Sequence, residues 1–127
     1  MNDISALSKL TRLESLRATA NQVSDISPLA NLKLLDRLDL ANTLVSDISI
    51  VKGLTKLTEL QLDGSKVIDI SALVDHPTLE RLTLNRTGVK DVSALRNVKT
   101  LKHLNVSGAA VTDSETLSRR GLEIVDD

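Results

Sequence analysis

Cut every 22 residues, the chain stacks its apolar positions into columns: Leu35, Leu57 and Leu79, then Leu38, Leu60 and Leu82, then Leu40, Leu62 and Leu84. The last two columns stand two residues apart, the period of a strand that buries one face, so each copy is predicted to contain one short strand. Upstream, Ile26, Leu29 and Leu32 are spaced by three, as are Ile48, Val51 and Leu54, which predicts a single helical or 3-10 turn. Each copy is thus a strand and a short helical return.

The polar positions keep the same period. Asp3, Asp25, Asp47, Asp69, Asp91 and Asp113 fall at equal intervals of 22, and Ile4, Ile26, Ile48, Ile70 and Val92 follow the first five. A repeat held without insertion or deletion from residue 3 to residue 112 marks a solenoid. The copies are 3–24, 25–46, 47–68, 69–90 and 91–112, and residues 113–127 read as a truncated C-terminal capping repeat. Ser27-Pro28 opens the return of the second copy, with Ser expected at the N-cap and Pro at the first helical position; Ser5, Ser49, Ser71 and Ser93 hold the same place. A return of about 20 residues brings successive strands alongside in parallel, and the crossover rule favours a right-handed coil.

Leu79-Glu80-Arg81-Leu82-Thr83-Leu84-Asn85-Arg86-Thr87-Gly88-Val89 resembles the leucine-rich repeat pattern LxxLxLxxNxL. Asp25-Ile26-Ser27-Pro28-Leu29-Ala30-Asn31-Leu32 is similar to the matching segment of the 22-residue repeats in bacterial internalins and in nuclear regulatory subunits of protein phosphatase 1. The resemblance implies an α/β fold class, a right-handed leucine-rich repeat solenoid with a parallel concave sheet and short helical or 3-10 turns on the convex side. It also implies the family's usual role, non-enzymatic protein binding through the concave face. The chain departs from the pattern in the asparagine column, which reads Asn21, Thr43, Ser65, Thr87 and Ala109. A hydroxyl still satisfies nearby backbone, whereas Ala109 does not, so its turn is expected to lean on water or neighbouring backbone. Two further exceptions are Ala18 in a Leu column and His76 in the column of Leu10, Leu32, Leu54 and Val98.

Composition narrows the function. Of the 127 residues 41% are hydrophobic, yet none is Phe, Trp or Tyr, so the interior is a narrow one of Leu, Ile, Val and Ala. Sixteen Lys and Arg against 17 Asp and Glu leave a net charge of -1 with no cluster of one sign, which argues against a nucleic-acid partner, as does the lack of aromatic rings for base stacking. No stretch approaches the roughly 18 apolar residues of a membrane span, and Met1-Asn2-Asp3 does not open a signal peptide. The expectation is a soluble chain with no membrane insertion. The absence of cysteine excludes disulfides, thiolate metal sites and a Cys nucleophile and leaves the compartment open.

Six carboxylates in a row at about 4.8 Å per coil resemble a calcium ladder, the first candidate for chemistry. The competing reading has each Asp accept backbone N–H groups in its own turn, and it is preferred because a repeated metal site needs further oxygen ligands in every coil. No cofactor is expected. His76 and His103 are the side chains suited to proton transfer near neutral pH. His76 precedes Pro77 and is expected to replace a core Leu, its ring buried with one nitrogen bonded or hydrated. His103 points from the fifth strand's concave face, and the nearest hydroxyl on that strand face, Ser107, lies roughly 13 Å along it. With no phosphate loop and no GxSxG motif, no enzyme is expected.

The concave face supplies the candidate site: Arg17, Arg37, Asp39, Glu59, Gln61, Asp63, Arg81, Asn85, His103 and Asn105, with Ser15, Thr19, Ala41, Thr83 and Ser107 completing the outward positions. Across the strands Arg37, Glu59 and Arg81 alternate in sign and Arg17 sits beside Asp39, so lateral pairs of about 0.2 to 1 kcal/mol each are expected. Five strands make a face of roughly 25 by 17 Å, or about 400 Å², half of the ~800 Å² that each partner gives to a standard interface. The alternative is a merely solvated sheet face. Leu34, Leu44, Ile50, Ile68 and Val74 lie outside the core columns and read as scattered exposed side chains.

The ends differ. Ile4, Leu7, Leu10, Leu13 and Leu16 have no covering element, so either further coils precede them or the bare N-terminal edge docks on something, and self-association through it is the alternative function. Ser118-Arg119-Arg120-Gly121 reads as the end of a helical turn, Leu122-Glu123-Ile124-Val125 as a final strand, and Asp126-Asp127 as a charged closing edge, the expected terminus of the solenoid.

Overall fold

A computed structural model describes residues 4–19, 22–119 and 121–126 of the chain. The readings that touch Asp3, Asn21, Arg120 and Asp127 lie outside them. Six three-residue strands are present: β1 Ser15–Arg17, β2 Arg37–Asp39, β3 Glu59–Gln61, β4 Arg81–Thr83, β5 His103–Asn105 and β6 Glu123–Val125. They form one parallel sheet in chain order, with Leu16, Leu38, Leu60, Leu82, Leu104 and Ile124 in register. The first five strands recur every 22 residues; β6 follows β5 after 20.

Ahead of each strand the chain turns through a 3-10 helix, at Ser5–Lys9, Ser27–Leu29, Ser49–Gly53, Ser71–Leu73, Ser93–Leu95 and Ser114–Leu117. One stacked core runs between turns and sheet. Leu29, Leu32, Leu35, Leu40, Val51, Leu54, Leu57, Leu60, Leu62, Leu73, Leu79 and Leu82 have no accessible surface, so the three-residue spacing of the returns and the two-residue spacing of the strands bury the faces they predict. The first coil is looser: Leu7, Leu13 and Leu16 are half-buried and Leu10 is 48% exposed, although Leu32 and Leu54 in its column have no exposure. Leu34, Leu44, Ile68 and Val74 are exposed and Ile50 half-buried, each in a different setting.

The turns are capped differently from the expectation. Ser27, Ser49, Ser71 and Ser93 are the first residues inside their 3-10 helices, and the cap positions are the buried Ile26, Ile48, Ile70 and Val92. The capping acceptor comes from one residue further back. Asp25, Asp47, Asp69 and Asp91 each take the backbone N–H of the Ser two residues on, at 2.9, 2.8, 2.8 and 2.8 Å. The physical reason is reach: a carboxylate two residues upstream closes an Asx turn while the residue between them drives its side chain into the core. Pro28 therefore occupies the second helical position, where its missing N–H is still harmless.

After β2, β3, β4 and β5 the backbone turns through the left-handed region. Asn42, Gly64, Arg86 and Gly108 have φ of 59, 67, 57 and 73°, a column that glycine and asparagine fill readily and arginine does not. The next residue carries the hydroxyl that stands in for asparagine. Thr43 Oγ1 donates to Leu40 O at 2.7 Å and Thr87 Oγ1 to Leu84 O at 2.8 Å, while Ser65 Oγ accepts from Val67 N at 3.5 Å. At Ala109 the backbone N–H reaches Val106 O at 3.0 Å, as those of Ser65 and Thr87 reach Leu62 O and Leu84 O at 3.1 and 3.3 Å, so the turn keeps its backbone bond without a hydroxyl.

Candidate functional site

Alternation along the strands builds the site. With Leu38, Leu60, Leu82 and Leu104 buried, their neighbours project from the opposite side of the sheet. Register then sets two rows across the strands: Ser15, Arg37, Glu59, Arg81, His103 and Glu123 in the first, and Arg17, Asp39, Gln61, Thr83, Asn105 and Val125 in the second. Asp63 and Asn85 extend the face beyond β3 and β4, and Asp63 Oδ1 accepts the Asn85 N–H at 2.8 Å. All ten candidate residues therefore share one surface.

Their interactions are more selective than alternation of sign suggests. Arg17 Nε lies 3.7 Å from Asp39 Oδ2, an ion pair on an exposed arginine, and the other Asp39 oxygen accepts the Ala41 N–H at 3.1 Å. Glu59 stands in register with both Arg37 and Arg81, yet among the described residues it pairs with neither; its Oε2 accepts from Gln61 Nε2 at 2.7 Å. At the far end His103 Nδ1 and Glu123 Oε1 are 2.5 Å apart. Asn105 Oδ1 accepts from both the N–H and the hydroxyl of Ser107, at 3.1 and 2.9 Å.

Column reading did not foresee three features, two of them on this face. Glu123 joins it because β6 pairs with β5 in register even though it arrives two residues early. Thr83 is only 7% exposed, and its hydroxyl, like Asn85 Oδ1, has no hydrogen-bond partner among the described residues. Arg119, expected inside a helical turn, instead follows the last turn and reaches back to carbonyls of the preceding coil, Val98 O at 2.5 Å and Arg96 O at 3.3 Å. Thr78 and Thr100 make the same kind of contact with Leu57 O and Leu79 O, at 2.7 and 2.6 Å.

The remaining candidates lie elsewhere. His76 is 4% exposed on the turn side, with both ring nitrogens bonded. Nδ1 accepts from Thr78 N and Leu79 N at 3.3 and 3.2 Å, which leaves the proton on Nε2 to donate to Leu54 O at 3.2 Å. Burial holds its pKa below the ordinary histidine value. The two histidines are thus on opposite sides of the core, the arrangement the strand and turn assignments imply. In the Asp column, Asp47, Asp69 and Asp91 have pKa values below the usual carboxylate range; for Asp47 and Asp69 the Ser backbone N–H is the main cause, and for Asp91 the Ser93 side chain. No group of three or more His, Cys, Asp or Glu close enough to hold a metal occurs among the described residues. No helix among them is long and apolar enough to cross a membrane.

A parallel sheet of one strand per coil, backed by 3-10 turns and a leucine core, defines the class: the chain is a leucine-rich repeat protein. Its build is that of the internalins. Internalin C2 of Listeria monocytogenes superposes with a TM-score of 0.94 over 100% of this chain and 57% of its own, at 26% identity. Internalin F of the same organism gives 0.83 over 88% of this chain and 33% of its own, at 36% identity. A leucine-rich repeat protein of Leptospira interrogans, at 19% identity and a TM-score of 0.85 over 98% of this chain and 34% of its own, shares the fold. The chain thus spans little more than half of internalin C2 and a third of internalin F. No protein-family model matches the sequence, and no curated protein matches it.

Proposed function

We propose that the chain is a non-enzymatic protein-binding module whose partner lies on the concave sheet face over Arg17, Arg37, Asp39, Glu59, Gln61, Asp63, Arg81, Asn85, His103 and Asn105. The observation that carries the reading is the contrast between the two sides of the sheet: one is a continuous apolar core, the other a mostly polar array held in register over six strands. The backbone of such an array is held by the sheet before binding, which limits the ordering cost of association. Its small area favours a modest affinity unless neighbouring surface contributes.

Site-specific cross-linking tests it. A photoreactive residue at Gln61 should trap one protein partner, and the same group at Lys99, exposed among the turns, should not. Trapping confined to Lys99 would reject the reading. A second reading, self-association through the first coil, draws on the 48% exposure of Leu10 beside half-buried Leu7, Leu13 and Leu16. Sedimentation over a concentration series separates the two: association that Leu10→Lys removes and Arg37→Glu with Arg81→Glu leaves intact supports the second.

A further inference from the structure

We infer that Arg37 and Arg81 form a two-pronged site for an acidic segment of the partner, one that brings two carboxylates on one face. The inference rests on the concave-face reading and names the chemistry of what binds there. Both arginines are exposed, and among the described residues neither side chain makes an ion pair or hydrogen bond. The nearby carboxylates are engaged elsewhere. Asp39 holds Arg17 and the Ala41 N–H, Glu59 takes Gln61, Glu80 lies 3.7 Å from Lys102 Nζ, and Glu123 meets His103. Among the described residues the two guanidinium groups are therefore the cations of the first row that no carboxylate holds.

Their spacing selects the ligand. They sit on β2 and β4, two strands apart, hence about 10 Å between backbones. A segment crossing the strands in extended form presents side chains two residues apart on one face at about 7 Å, a gap that long, flexible Arg and Glu side chains close. Arginine is suited to this because its planar fork takes a carboxylate through two parallel hydrogen bonds. Glu59 between the prongs repels a third acid directly above it. The groove formed here by Arg37, Thr58, Glu59, Glu80, Arg81, Lys102 and His103 is open to solvent, so exposed peptide has access.

The probe is a fluorescein-labelled Glu-Gly-Glu-Gly-Glu peptide, titrated by anisotropy into the 127-residue chain beside its Gln and Lys counterparts. The acidic peptide should bind, weaken as salt rises, and lose roughly tenfold in affinity with Arg37→Ala or Arg81→Ala. The double variant should lose about a hundredfold, because side chains ~10 Å apart act nearly additively. Arg96→Ala, an exposed arginine on the turn side, should leave binding unchanged. Absence of binding up to about 1 mM, or equal losses from Arg96→Ala, overturns the inference. If the Lys peptide binds instead and Glu59→Gln removes it, the concave face is a docking surface and the acidic partner is wrong. If none of the peptides binds while Gln61 still cross-links a protein, this inference again falls alone; if Gln61 is also silent, both fall.

Discussion

The Nε2–H of His76 donates to the carbonyl oxygen of Leu54, 3.2 Å away, tying one coil to the residue that holds the same place 22 residues earlier. A leucine fills this column at Leu32 and Leu54 through packing alone; the histidine adds three hydrogen bonds with backbone and depends on staying neutral.

That dependence gives stability a pH window. Because burial lowers the folded pKa beneath the ordinary value of about 6.5, the unfolded chain takes up a proton first on acidification. Stability is therefore full above about pH 6.5 and declines as pH falls from there through the folded value. Denaturant melts between pH 7.5 and 5 should show the decline in the wild type and a flatter profile in His76→Leu. At pH 7.5 that variant should be less stable by about 1 to 3 kcal/mol, since the N–H groups of Thr78 and Leu79 lose their acceptor.

The aspartate column acts lower on the pH scale. Asp47, Asp69 and Asp91 have depressed folded pKa values, so their contribution is complete above the unfolded value near 4 and is lost on further acidification. Asp69→Ala should lower the melting temperature more than Asp69→Asn, which keeps an acceptor for the Ser71 N–H. Calcium followed by a chelator should leave the wild-type melting temperature unchanged. A calcium-dependent rise would revive the carboxylate ladder as a metal site.

The left-handed column offers a stabilising change. Arg86 adopts a φ of 57° that its β-carbon disfavours, so Arg86→Gly should gain about 0.5 to 1 kcal/mol in denaturant unfolding. Gly64→Ala should move the opposite way by about 1 to 2 kcal/mol, since the backbone there has a φ of 67° and the new methyl would meet Asn42 Oδ1.

Arg119 adds charge-assisted hydrogen bonds to carbonyls of the fifth coil, and of these Val98 O keeps the Leu101 N–H when the guanidinium is removed. Arg119→Ala should cost about 1 to 3 kcal/mol, and hydrogen exchange should speed up first in β5 and β6.

Thr83 makes the contrasting case. Its hydroxyl is buried without a partner, so Thr83→Val, which keeps the shape and removes the polar atom, should be neutral or stabilise by up to about 1 kcal/mol. A loss beyond about 1 kcal/mol would show that the hydroxyl bonds something in solution.

Much of this fold was legible because a strict period makes each residue type a vote counted five times. Leu38, Leu60 and Leu82 declare a strand, and Ile26, Leu29 and Leu32 a turn, whatever their neighbours. What escaped were relations set by reach rather than by column. Serine's preference for caps pointed to Ser27, but the turn opens one residue earlier than a capped α-helix would, which hands the acceptor to Asp25. Alternating charge predicted Glu59 between two arginines; a choice of rotamer turned it to Gln61. The pairing of His103 with Glu123 was hidden because the last return is two residues short, so the column rule put Val125 rather than Glu123 opposite His103.

Because successive strands stack in strict register, the concave face behaves as a grid with fixed addresses, one row per strand position and one file per coil. Moving a side chain from Arg81 to the place of Glu59 shifts its charge by about 4.8 Å and asks no backbone atom to follow. A substitution at one address therefore rewrites the local charge of the face while the leucines beneath stay as they are.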